Sequence, residues 1–158
     1  MNSTAILREQ LTNLLRSEQA HASFDQAIAK LPSKLRGAVP RGLPYSPWQL
    51  LEHIRLAQRD ILDYCRNKDY APMNWPDDYW PKSPKPPSAA AWNKSVAAYG
   101  ADRDAMIDLV NDQKVDLFAA VPSSKKHTLL REVLLLADHT AYHLGQFMYV
   151  RRLLSGKS

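Results

Sequence analysis

The chain has 158 residues, 45 % of them hydrophobic and 23 % charged, which is the composition of a globular protein forming a single domain over residues 1–158 and excludes a fibre, a disordered tail or a second catalytic domain. With a single cysteine, Cys65, it forms no internal disulfide and no Cys-rich zinc knuckle, and with 5 glycines it has little from which to build a phosphate loop. The net charge of +5 comes from scattered basic residues, adjacent only at Lys125-Lys126 and Arg151-Arg152, a pattern that argues against a nucleic-acid surface.

Apolar residues recur at three-and-four spacing in four stretches, and no run of period-two alternation is bounded by turn signals. The first stretch predicts a helix from Ser3 to Lys30 that stops before Pro32. A Gly- and Pro-containing connector follows over 32–45. The second helix has the clearest start, with Ser46 as N-cap, Pro47 at the first helical position and Gln49 completing a capping box; it continues to Asn67. Residues 68–87 hold six of the 11 prolines together with Tyr70, Trp75, Tyr79 and Trp80, and cannot be helical. A third helix spans Ser88 to Asn111 and a fourth Thr128 to Leu154. Four such helices predict an all-α four-helix bundle. No run of 18 apolar residues crosses a membrane, and Met1 to Gln10 already carry Arg8 and Glu9 where a signal peptide needs an apolar core, so a cytoplasmic protein is expected.

The fourth helix contains Asp138-His139-Thr140-Ala141-Tyr142-His143-Leu144-Gly145-Gln146. Residues four apart lie one above the other, so His139 and His143 project side by side and offer two imidazole nitrogens to one ion. Leu136, Phe147 and Val150 flank the pair and turn it inward, where two imidazoles without an acceptor or an ion would be left unsatisfied. His53, sharing a stripe of the second helix with Leu50 and Ala57, supplies a third imidazole. An inward histidine taken singly is more often a hydrogen-bonded core residue than a ligand; three together would form a facial nitrogen set that leaves coordination positions open, as catalytic sites do.

These residues resemble the DinB/YfiT-like family of metalloenzymes, damage-inducible type. The resemblance rests on Ala20-His21 with Phe24-Asp25, on Ser46-Pro47-Trp48-Gln49-Leu50-Leu51-Glu52-His53, on Trp75-Pro76 with Tyr79-Trp80-Pro81, and on Leu130-Arg131-Glu132 through Asp138-His139, Tyr142-His143 and Gly145-Gln146. It implies that His53, His139 and His143 bind a divalent metal, nickel or zinc foremost, with iron or manganese also compatible with imidazole. It implies further that the second and fourth helices are neighbours joined through a long crossover, that the protein is a homodimer, and that the activity is of the thiol S-transferase or a related type.

Around this centre, positions 7, 11, 14, 18, 21, 25 and 28 form one stripe that includes Glu18, His21 and Asp25. Of these, His21 is a candidate proton-handling group. Glu132, one turn before Leu136 on the ligand stripe, is the candidate general base. Glu52 and Asp138 each precede a ligand and point about 100° away from it, as surface carboxylates would, though either could orient an imidazole on another helix. Trp75, Tyr79 and Trp80 either wall the entrance to the site or staple the crossover to the bundle. Cys65, three turns beyond His53 and roughly 18 Å along the axis, is too far to ligate the same ion. The leading expectation is a metal-dependent transferase or hydrolase acting on a small molecule, with a low-molecular-weight thiol as one substrate and neither nucleic acid nor membrane as partner. The alternative is a non-catalytic metal-binding bundle serving as a stress-response binding module.

Overall fold

The computed structural model of the chain describes residues 2–16 and 19–156 and, over them, is all-helical. Five α-helices occur among the described residues: α1 (Ser3–Arg16), α2 (Phe24–Ile28), α3 (Pro47–Arg66), α4 (Ala89–Asn111) and α5 (Leu129–Ser155). Their only β-pairing is an isolated bridge between Ala120 and Thr128. Two single 3-10 turns, Ser33–Leu35 and Asp77–Tyr79, interrupt the connectors. None of the described helices is long and apolar enough to cross a membrane.

The single first helix expected over Ser3 to Lys30 is corrected to two. Ser23 caps a new helix, its Oγ accepting from the Gln26 amide at 3.3 Å while its own amide donates to Gln26 Oε1 at 3.0 Å. A capping box fixes its N-cap residue in an extended conformation, here φ −67° and ψ 164°, and an extended residue cannot lie within a continuous helix. Glu18, placed on the polar stripe of that helix, lies outside the described residues.

The other starts follow local chemistry closely. Ser46 Oγ accepts from the Gln49 amide at 3.2 Å, Gln49 Oε1 accepts from the Ser46 amide at 3.2 Å, and Pro47 occupies the first helical position. The same hydroxyl donates to the Pro84 carbonyl at 2.6 Å, so one buried side chain both starts α3 and ties the proline-rich segment to it. Ser46→Ala should therefore cost about 1–2 kcal/mol and lower the melting temperature by several degrees, more than an exposed cap would, as a thermal melt followed by circular dichroism will show. Ser88 and Thr128 cap α4 and α5, and Gly156, at φ +62°, ends α5 in the left-handed conformation that glycine adopts without strain.

α3 packs along both α4 and α5, and α1 contacts the same two helices. α3 and α5 run antiparallel: His53 meets His143 at one level and Tyr64 meets His127 at another. One apolar cluster gathers Leu11, Leu62, Met106, Val110, Val133 and Leu136, and a second gathers Phe24, Leu51, Ile54, Tyr99, Leu144 and Phe147. Buried Arg8 ties α1 to the end of α4, its guanidinium donating to the carbonyls of Val110 and Val115. On α5, His139 stands between Leu136, which serves the first cluster, and Leu144, which serves the second.

Candidate metal centre

His53, on the second turn of α3, meets His139 and His143 of α5 through their Nε2 atoms. The His53–His143 separation is 3.0 Å and the His53–His139 separation 3.1 Å, and the donor atoms of all three lie within 4.8 Å of one another. Zinc–nitrogen bonds are about 2.0–2.1 Å, so two nitrogens on one ion sit roughly 3 Å apart. The spacing fits a shared cation.

Hydrogen-bond partners assign the protons on two of the rings. His53 Nδ1 lies 3.1 Å from the Tyr79 carbonyl, which only accepts, so this nitrogen carries the hydrogen and Nε2 keeps its lone pair. His143 Nδ1 lies 2.8 Å from Gln146 Oε1; with the amide turned so that its oxygen, an acceptor, faces the ring, Nδ1 carries the hydrogen and Nε2 is left as a lone pair. Two lone pairs thus face each other at 3.0 Å with both protons engaged elsewhere, an arrangement that repels unless a cation stands between them. His139 differs: its Nδ1 is buried without a hydrogen-bond partner among the described residues.

Burial disfavours protonation of all three rings. His53 is pushed down to about 4 by burial and then by its proximity to His143, against the opposing pull of the Tyr79 carbonyl. His139 is likewise pushed down to about 4, by burial and then by His143 and His53. His143 is lowered by burial, with Gln146 opposing. At neutral pH the cluster presents unprotonated nitrogens, the form a metal requires.

Aromatic side chains enclose one side. Trp80 stacks on His53 with centroids 3.8 Å apart and planes within 7°, and Tyr45 stacks on the other indole face at 4.0 Å. Trp75, 70 % exposed, stands 6.4 Å from His53, and Tyr142 meets His143 edge-on. The proline-rich loop is also fixed to α3 through Gln49 Nε2, which donates to the Pro81 carbonyl at 3.1 Å. Trp80 both anchors the crossover and covers an imidazole, while Trp75 faces solvent beside it.

The other expected participants lie apart from the three rings. His21 is exposed, with Nδ1 3.0 Å from the Ala22 carbonyl, and borders a cavity lined by Ala141, Gly145 and Met148, on the side of α5 opposite the histidine stripe. Glu132 is buried two turns before His139, about 10 Å along the axis, where it accepts from Arg131 at 2.6 Å and lies 3.5 Å from His127 Nδ1. Glu52, expected at the surface, is buried: Arg55 grips it at 2.8 and 2.9 Å, because a carboxylate drawn into the helix interface needs a cation to offset its desolvation. Burial pushes its carboxyl up, and the bonds from Arg55 and Ser95 outweigh that and hold it below the usual range. Asp138 is exposed. Burial, and then the nearby Glu132, push the Cys65 thiol up to about 12, which leaves it inert as a nucleophile.

Sequence reasoning missed the partners that orient the rings. Gln146 was readable, since a residue three beyond His143 lies over the same helix face. The Tyr79 carbonyl was not, because a backbone acceptor in an irregular loop leaves no mark on residue type.

A family model described as the DinB superfamily matches residues 16–147. No curated protein and no solved structure matches the chain.

Proposed function

The chain belongs to the DinB superfamily, and from that premise we propose that it is a four-helix bundle with a long crossover that holds one divalent ion, nickel or zinc foremost, on His53, His139 and His143. We read it as a metal-dependent enzyme of the thiol S-transferase or hydrolase type, acting in the cytoplasm on a small molecule. The observation that carries this reading is the convergence of Nε2 atoms 3.0–3.1 Å apart, two of them fixed as lone pairs by bonds on the far side of their rings.

A divalent ion held by His53, His139 and His143 would supply Lewis-acid chemistry, lowering the pKa of a water or thiol so that it could serve as a nucleophile near neutral pH. Three nitrogen donors leave coordination positions for that nucleophile. The chain's own residues provide the setting. Tyr79 and Gln146 hold two rings in the ligating tautomer, Trp80 shields one face of His53 from water, and the exposed Trp75 offers an aromatic surface to an apolar part of a substrate. Exposed Leu135, Tyr142 and Tyr149, seven residues apart on α5, favour a homodimer packed through this helix.

Metal-stripped protein should regain turnover of a thiol with an electrophilic small molecule on adding one equivalent of nickel or zinc, and His139→Ala should not. Turnover retained in His139→Ala overturns the reading.

A further inference from the structure

Asp60 lies on α3 seven residues beyond His53, two turns and about 10 Å along the axis, and touches none of the three imidazoles. Both of its carboxylate oxygens are engaged. Oδ1 accepts from the Tyr70 hydroxyl at 2.8 Å and Oδ2 from the Tyr79 hydroxyl at 2.7 Å. Bonds to an ionised acceptor are the short and strong kind, and here two of them converge on one rigid helical residue.

Tyr79 has a second role. Its carbonyl accepts the Nδ1 hydrogen of His53 at 3.1 Å, and the next residue, Trp80, lies flat on the His53 ring. The acceptor that fixes the His53 proton therefore sits in a connector, where it is only as steady as its anchors. Gln49 and Ser46 hold the connector further along, at Pro81 and Pro84, and Asp60 is the group that grips the very residue whose carbonyl faces His53.

We infer that Asp60 is a positioning residue for His53: by holding Tyr79 through its hydroxyl it keeps the Tyr79 carbonyl against Nδ1, and so keeps the Nε2 lone pair turned into the cluster. The effect on the tautomer stands on hydrogen bonding alone; the effect on metal affinity rests on the proposed function. Loss of the partner that orients a ligating histidine typically weakens metal binding 10–100-fold, and here that loss is transmitted through the loop. Tyr70 shares the carboxylate without touching His53, which makes it the natural control.

The test uses the full chain. Long-range proton–nitrogen NMR of the metal-free protein reads the His53 tautomer, and titration with cobalt(II), followed by its visible absorption, reads affinity and ligand field. The parent should show a single Nδ1-protonated His53. Tyr79→Phe and Asp60→Ala should show mixed tautomers and cobalt(II) affinity lowered by about 10–100-fold, Asp60→Asn should fall between, and Tyr70→Phe should match the parent. A role confined to anchoring the loop would instead lower the melting temperature of both tyrosine variants and leave the tautomer alone. A single Nδ1-protonated tautomer with parental affinity in both Tyr79→Phe and Asp60→Ala overturns the inference. Should Asp60→Ala fail to fold, Tyr79→Phe, which lacks one hydroxyl, decides the matter. A parent that binds no cobalt(II) while the tautomer shifts in Tyr79→Phe would sink the metal reading and uphold the positioning role.

Discussion

His53→Ala should bind a divalent ion at least about 100-fold more weakly than the parent, beyond what loss of an orienting partner alone costs. His53 is the ring that both others meet, at 3.0 and 3.1 Å, and it alone comes from α3. Without it the remaining pair lies on one helix, four residues apart, and holds an ion through two nitrogens instead of three. The imidazole is also stacked under Trp80, so its removal opens a space there; His53→Gln, which refills part of that space, separates lost ligation from lost packing. His21→Ala and Glu132→Gln should keep parental affinity, since the first is exposed across α5 and the second sits two turns away, paired with Arg131. Isothermal titration with zinc, with helicity checked by circular dichroism, measures all four. Unchanged affinity in His53→Ala would remove that ring from the site.

The second large effect is on acid stability. An unfolded histidine takes up its proton near pH 6.5, whereas His53 and His139 in the folded chain do so only at about 4. Between those values the unfolded state binds more protons than the folded one, so stability is fully present above pH 6.5 and falls as the pH drops toward 4. By pH 5 each ring should contribute roughly 1–2 kcal/mol of destabilisation, together lowering the melting temperature of the metal-free protein by about 5–12 °C relative to pH 7.5. His139→Gln should show a smaller decline. A bound ion needs the neutral rings and should oppose the loss, and metal affinity should fall less steeply below pH 6.5 than at ordinary imidazoles, because burial lowers the proton affinity of all three rings. Differential scanning calorimetry across this range, with and without zinc, is the check; a melting temperature independent of pH from 7.5 to 5 would contradict the assigned burial of the rings.

Much of this was legible in the residues. The start of α3 could be read because Ser46, Pro47 and Gln49 act on their own backbone, and the inward turn of His139 and His143 because helical spacing fixes direction. Ser23-Phe24-Asp25-Gln26 carries the same capping signature, and the continuous apolar stripe around it concealed the break between α1 and α2. What could not be read depended on tertiary partners. Glu52 looks like a surface carboxylate until Arg55 and Ser95 gather round it, and Glu132 shares the ligand stripe without sharing its level along the bundle. The Tyr79 carbonyl and the stacking of Trp80 on His53 arise from how a proline-rich loop folds back on α3, a placement that residue types alone do not encode.

Co-crystals of the full chain with nickel or zinc, with diffraction recorded on either side of the metal absorption edge, will locate the ion and its ligands. One strong anomalous peak per chain is expected, about 2.0–2.1 Å from Nε2 of His53, His139 and His143. A peak lying elsewhere, or none beside these rings at full metal loading, would contradict a metal centre on these three histidines.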